Sequence, residues 1–290
     1  MLIEILSFFY HSDGMEHPKM LMSTWLSSLC HPTNLPELLK MGTVLHNIYC
    51  SPQDVQFLKD NYVPIANNAG LEVRFNYTII TSIGKHGRDQ LHLAIKDQAR
   101  YSINNKSIII IGTADQIFGN GLGATVATLQ KDEYMVCPVI RVSYEKGFES
   151  AKTFFNTPKS NMEIVKFFVE DIPHNLTTLA LSGDHEYMRM KKLGDGYAFY
   201  HKEPPPLMCY GSETMFEGWS KGMMGQFEAI DHDIPDVYFN KGKLKWVDSS
   251  DIFVWGEFTS DKTYTSMITN SYHNKTTNFF KDNAMFLRTK

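Results

Sequence analysis

Ser107-Ile108-Ile109-Ile110-Ile111-Gly112-Thr113-Ala114-Asp115-Gln116-Ile117-Phe118-Gly119-Asn120-Gly121 is the stretch on which the fold turns. Four consecutive isoleucines carry no alternation of polar and apolar residues, so both faces of the strand they form need cover, as in a parallel sheet. The run ends at Gly112 in a short loop that presents one carboxylate, Asp115, and glycines follow. A carboxylate beyond the end of a buried strand can ligate Mg2+ or Mn2+ held on a diphosphate, or accept a hydrogen bond from a ribose hydroxyl. The glycines, Gly112 first among them, let a ligand approach the backbone closely. The plainer alternative is a turn aspartate capping a helix expected over residues 124–129.

Working outward, strand-like and helix-like segments alternate through the first half. Leu2 to Phe9 is a continuous apolar run and reads as a first buried strand. Met20 to Leu29 has helical spacing, and Thr43 to Tyr49 reads as a second strand. Pro52 and Asp54 mark a helix start, proline in the first turn and an acid near the positive end of the dipole. Leu71 to Ile80 is β-rich, and Leu91, Ile95 and Ala99 give Arg88 to Tyr101 a helical period. This alternation predicts an α/β fold with a mostly parallel central sheet and helices on both faces, with ligands beyond the carboxyl ends of the strands. From about Pro173 the chain is richer in turns, aromatics and methionines. Shorter strands are expected at Gly196 to His201, Leu244 to Val247 and Ile252 to Thr259, with Pro204-Pro205-Pro206 as a stiff connector. Residues 1–172 are therefore expected to form the α/β half, and residues 173–290 an irregular α+β part of the same domain.

The totals fit that reading. The 290 residues are 43% hydrophobic and 21% charged with a net charge of −4, a globular composition that argues against both disorder and general polyanion binding. Four cysteines without a Cys-x-x-Cys pair exclude a zinc-knuckle spacing and make a disulfide framework a poor reading. No apolar stretch reaches the roughly 20 residues needed to span a bilayer, and no basic leader precedes the first strand. The expected location is the cytoplasm.

Several short segments together carry a resemblance. They are the strand with its Ala114-Asp115-x-x-Phe118 loop, Met135 to Ser143 (MVCPVIRVS), Ser27 to Leu39 (SSLCHPTNLPELL), and His92, Ala94 and Ala99 in the helix before the loop. Ala198 to Met208 (AFYHKEPPPLM), Phe227 to Phe239 (FEAIDHDIPDVYF) and Trp246 to Phe258 (WVDSSDIFVWGEF) complete the set. In this order they resemble GT-A-type nucleotide-diphospho-sugar glycosyltransferases. The resemblance implies a GT-A-like (Rossmann-like) fold and transfer of a sugar from a nucleoside-diphosphate sugar, with Mn2+ or Mg2+ as cofactor. It also implies a strand that returns beside the acidic loop carrying Arg141. Ile117 is a departure, standing where the group's Asp-x-Asp has its second carboxylate.

Asp231-His232-Asp233 is a literal Asp-x-Asp, read as an extended loop between Ile230 and Pro235, where two carboxylates two apart could face one ion. With Asp115 and His201 it makes the expected metal set, with His185 as a further histidine; a solvated acidic turn is the alternative. The leaving diphosphate needs cations, for which Arg141, Arg100 and Lys85 are candidates, or they are surface charges. An acceptor hydroxyl needs a carboxylate base in an inverting enzyme, for which Asp184 and Asp231 are candidates. Asp248 and Asp251 read as turn residues. Two groups, Arg189, Lys191 and Lys192, and Lys241, Lys243 and Lys245, are interleaved with Tyr187, Tyr197 and Trp246. They could track a nucleic-acid backbone or form a solvated face.

The acceptor is expected to be a glycan, a lipid precursor or, by a second resemblance, DNA. Chain size, residue usage and the absent targeting signal resemble the sugar transferases of T-even-like phages, which place glucose or arabinose on hydroxymethylated cytosine. That version puts the protein in the host cytoplasm. A non-catalytic nucleotide-binding or scaffold module is the competing reading, and a metal-dependent phosphohydrolase built on Asp231, Asp233 and His201 a third.

Overall fold

A computed structural model describes residues 1–8, 16–50, 52–77, 98–184, 188–202, 204–215, 229–261 and 275–290. Its centre is a seven-stranded sheet. Four parallel strands form one side: β1 (Leu2–Phe8), β2 (Thr43–Cys50), β3 (Glu72–Tyr77) and β4 (Ile108–Ile111). Two further short strands are β5 (Gln116–Phe118) and β6 (Tyr134–Val136), followed by β7 (Val139–Ser143), β8 (Met188–Leu193) and β9 (Gly196–His201). The last four are β10 (Pro206–Tyr210), β11 (Leu244–Trp246), β12 (Trp255–Thr259) and β13 (Met285–Arg288). Across the main sheet the order is β3-β2-β1-β4-β10-β6-β11. Every pairing is parallel except those of β10, which runs against both β4 and β6. The α/β class and the mostly parallel sheet expected from sequence are what the chain adopts.

Alternate residues of β1 explain why helices cover both faces. Ile3 and Ile5 enter one core with Val44, Ile48, Ile108 and Ile110. That core lies under α1, which runs His17–Met20, a π-helical turn Leu21–Trp25 and Leu26–Leu29, and under α2 (Leu35–Met41), α3 (Pro52–Asn61) and α4 (Val63–Asn68). Leu6 and Phe8 enter the other core with Tyr49, Ile109 and Val136. It is closed by Ala99 of α5 (residues 98–105), by Ile234 and Tyr238 of α10 (Ala229–Asn240) and by Phe280 of α11 (Lys275–Asp282). Each isoleucine fully buried in this way contributes roughly 1.5–3 kcal/mol. Between α5 and α10 the chain forms α6 (Leu122–Ala127), α7 (Tyr144–Phe154), α8 (Asn161–Lys166) and α9 (Asn175–Ser182).

Two small sheets flank the main one. In the first, β12 pairs antiparallel with β5 and parallel with β7; in the second, β9 lies between β8 and β13. Residues 1–172 and 173–290 are thereby interwoven, since β10 and β11 complete the main sheet and β12 joins β5 to β7.

Three expectations change. The MVCPVIRVS segment is two strands in two sheets, because Pro138, with no N–H to donate, ends the ladder after β6. The strand beside β4 is β10, while Arg141 is carried by β7 in the small sheet that continues from the Asp115 loop. The helix expected over 124–129 is α6, which starts at Leu122 behind Gly121 (φ 94°); β5 intervenes, so Asp115 is not its cap. The Asp231–Asp233 segment is helical, not an extended loop. Asp251 stands in a turn, its N–H donating to Ser249 Oγ (3.1 Å), and its carboxylate meets Arg288 at 3.1 Å. All four cysteines are free thiols. No described helix is long and apolar enough to cross a membrane. Residues 78–97, with Lys85 and His92, and 185–187, with His185 and Tyr187, lie outside the described set.

Candidate functional site

The chain builds β1, β2 and β3 outward to one side and then returns to place β4 on the other side of β1. Ligands of open α/β sheets sit in the crevice at such a reversal, beyond the carboxyl ends of the strands. Gly112 closes β4 there, its N–H bound to Leu6 O (2.8 Å). Its carbonyl accepts from Trp25 Nε1 (3.1 Å) and from the Ser7 hydroxyl. Since the Ser7 proton is directed at Gly112, Ser7 Oγ accepts from His46 Nε2 (2.7 Å). His46 Nδ1 then accepts from the Tyr62 hydroxyl (2.7 Å). Burial pushes His46 down to about 3, so it is neutral and the chain of donors runs one way into the Gly112 carbonyl. The glycine itself serves packing: a Cβ at 112 would lie 2.8 Å from Ile5 Cγ2 and 3.0 Å from Phe118 Cζ.

Asp115 is half-buried beyond this anchor. Its Oδ1 accepts from Thr113 Oγ1 (2.5 Å), and its backbone carbonyl accepts from Phe258 N–H (2.8 Å). Gln116 closes the turn, Oε1 accepting from Thr113 N–H (2.9 Å). The loop is thus tied on one side to β4 and on the other to β12. One cross-strand row of the small sheet is Gln116, Glu257 and Arg141, and Arg141 is ion-paired with Glu257.

At the carboxyl ends of β7 and β12 lies a group of residues that sequence reading missed. Ser143 caps α7, its Oγ accepting from Lys146 N–H (3.3 Å). Glu145 holds the chain leaving β12, its oxygens accepting from Ser260 Oγ (2.5 Å) and Asp261 N–H (3.0 Å). Burial would raise the Glu145 carboxyl, but these bonds outweigh it and hold the group below the usual range. Asp261 meets His174 Nε2 (3.2 Å), Ser143 Oγ (3.0 Å) and Lys146 Nζ (3.4 Å). The Tyr144 hydroxyl accepts from Glu16 N–H (3.3 Å), which brings the return from β1 to the same edge.

The remaining sequence candidates are dispersed. Arg100 is exposed on α5, between Gln98 and Ser102, which face the buried carboxylate of Glu4. Asp184 is exposed just past α9, in a turn where its Oδ2 accepts from Ser182 Oγ (2.6 Å). His201 ends β9, its ring edge-on to Phe199. Asp231 and Asp233 are two apart on α10, where neighbours so spaced do not share a side as they would on an extended loop; their side chains lie outside the described set. α10 packs against one face of the sheet and β5, which continues from Asp115, against the other. Among the described residues no three His, Cys, Asp or Glu side chains gather closely enough to hold a metal ion. Of the basic groups, Arg189 stacks over Tyr200, Lys192 lies over Tyr197, and Lys245 pairs with Glu133 (2.9 Å).

No protein-family model matches the chain, and no curated protein does. Among solved structures it is similar to a protein described as a glucose-1-phosphate thymidylyltransferase from Bacillus anthracis. The identity is 15% and the TM-score 0.41, over 96% of this chain and 99% of that one. It is also similar to the inositol-1-phosphate CTP transferase from T. maritima, at 9% identity and a TM-score of 0.39, over 97% and 96% of the two chains. Neither likeness carries a functional reading.

Proposed function

We propose that the chain binds a nucleoside-diphosphate sugar across the carboxyl ends of β1 and β4 and transfers the sugar to an acceptor hydroxyl. The observation that carries this reading is the placement of Asp115 at the point where the strand order reverses, on a loop braced by Thr113 and by β12. The nucleotide lies along the sheet edge, with Asp115 directed at its phosphates or ribose. A hard oxygen donor of this kind suits Mg2+ or Mn2+ bound chiefly by a diphosphate, and such an ion would supply charge neutralisation at the leaving group. Arg141, already neutralised by Glu257, is positioned to orient rather than to add net positive charge. Of the acceptors, hydroxymethylated DNA is the sharpest version and a glycan the broader one.

Thermal shift and calorimetry with nucleoside diphosphates and their sugars, with and without Mn2+, test the reading. At 100 times its dissociation constant a donor stabilises by about 2.7 kcal/mol. Asp115→Asn is expected to abolish that stabilisation while leaving the unliganded melting temperature within a degree or two. Binding unchanged in Asp115→Asn removes Asp115 from the site. Binding without transfer to hydroxymethylcytosine DNA or to glycans favours the binding-module reading, which Ile117 and the engaged Arg141 also favour.

A further inference from the structure

We propose that Asp261, oriented by His174, is the base that takes the proton from the acceptor hydroxyl; this rests on the sugar-transfer reading above. Neither Asp184 nor Asp231 is needed in that role. Asp261 follows β12 directly, and β12 and β7 are parallel, so both end at one edge. Phe258, three residues earlier, binds the Asp115 carbonyl. Three extended residues span at most about 11 Å, which places the carboxylate within one sugar diphosphate of the Asp115 loop.

The partners of Asp261 fix which way its charge faces. His174 is fully buried and caps α9, its Nδ1 accepting from Leu176 N–H (3.1 Å). The ring proton is therefore on Nε2, which lies 3.2 Å from Asp261 Oδ1 as a charge contact. Burial lowers the His174 pKa, the opposing effect of Asp261 notwithstanding, so the imidazole stands against the carboxylate as a neutral ring that fixes its position by contact. Ser143 and Lys146 hold Oδ2, while 18% of the Asp261 side chain remains exposed and reachable by a substrate. Glu145 already anchors residues 260 and 261 through the backbone and the Ser260 hydroxyl, so the Asp261 carboxylate is not needed for that task. Beside it, Thr259 is in register with Ser143 and only 6% exposed, and its Oγ1 has no partner among the described residues.

The step balances as a single displacement. The acceptor oxygen forms a bond to the anomeric carbon, and the bond from that carbon to the diphosphate oxygen breaks with its electron pair. The diphosphate departs as an anion, and the hydroxyl proton passes to Asp261. One displacement inverts the anomeric configuration. His174 is a positioning residue, and the ionisable groups facing Asp261 are His174, Lys146, Glu145 and, through the His174 side, Arg141.

The test uses the full chain with a donor that binds it. Asp261→Asn is expected to lower kcat ~100-fold or more, with donor affinity, measured without acceptor, changed less than about twofold. His174→Gln is expected to lower kcat ~10-fold at unchanged KM and to move the acid limb of the pH–rate profile. Product analysis by NMR should show inversion. Wild-type kcat in Asp261→Asn, or a product of retained configuration, overturns the assignment while donor binding still upholds the underlying reading. Should Asp261→Asn fail to fold, Asp261→Glu moves the carboxylate outward by one methylene, and a rate equal to wild type would overturn the assignment equally. If the wild type binds no donor, both fall together.

Discussion

At the scale of single residues, His46 has the clearest thermodynamic signature. Its ring lies stacked on Trp25, centroids 4.5 Å apart, with both nitrogens engaged by neutral hydroxyls. Because its folded pKa is about 3 against about 6.5 for an unperturbed histidine, the unfolded chain binds the extra proton between those values. Stability is therefore retained above about pH 6.5 and falls as the pH drops through that window, by up to about 1.4 kcal/mol per unit from this group. His174, also lowered by burial, adds in the same sense. Urea unfolding at several pH values between 7.5 and 4.5 should show that slope, and His46→Gln should flatten it. An equal slope in the variant would assign the effect elsewhere. Asp115 was legible in the sequence because a local pattern, four isoleucines and a turn, points at it. His46 was not, because a histidine inside an apolar strand reads the same whether or not Ser7 and Tyr62 stand at its two nitrogens.

At the scale of elements, the small sheet of β5, β12 and β7 brings the proposed donor and acceptor groups to one edge. Its central row is closed by the Arg141–Glu257 pair, whose side chains are 15% and 19% exposed. Removing one member of a pair this enclosed leaves the other charge poorly solvated. Arg141→Ala and Glu257→Gln should each cost about 1–3 kcal/mol. The double variant should cost less than their sum, and strict additivity in a double-mutant cycle would show that the two do not interact. Here sequence reading reaches its limit. The strands Gly196 to His201 and Leu2 to Phe8 were legible from composition. But β7 and β12 pair across more than a hundred residues, so nothing near Ser143 announces that Asp261 will stand against it. The same blindness turned Asp231 and Asp233 into an expected loop: a proline and two acids are common in turns, and here they lie within a helix held by Ile234 and Tyr238 on the core.

At the scale of the molecule, the division at residue 172 marks a change in texture along the chain and not a separable unit. In the main sheet β6 is paired only with β10 and β11, and β5 and β7 reach each other only through β12. A fragment of residues 1–172 would leave β5, β6 and β7 without a strand partner and β4 with one edge unpaired. It should show no cooperative urea transition, whereas the full chain shows one. A cooperative transition in the fragment would mean that β1 to β4 and their helices suffice. Helices on both faces and the parallel order were legible because they follow from strands with no polar face. The insertion of β10 between β4 and β6 was not, since its sequence states no direction.

That insertion also imposes an order in time. During synthesis the isoleucine strand β4 is complete, and can dock on β1, long before β10 exists to cover its other edge. At about 5–20 residues per second, the roughly one hundred intervening residues leave that edge open for some 5–20 seconds on every nascent chain. Four β-branched apolar residues with free backbone donors and acceptors are the kind of edge that recruits a neighbouring chain. Until Tyr210 emerges, Ile108–Ile111 is thus the segment where a nascent chain is expected to pair with a neighbour.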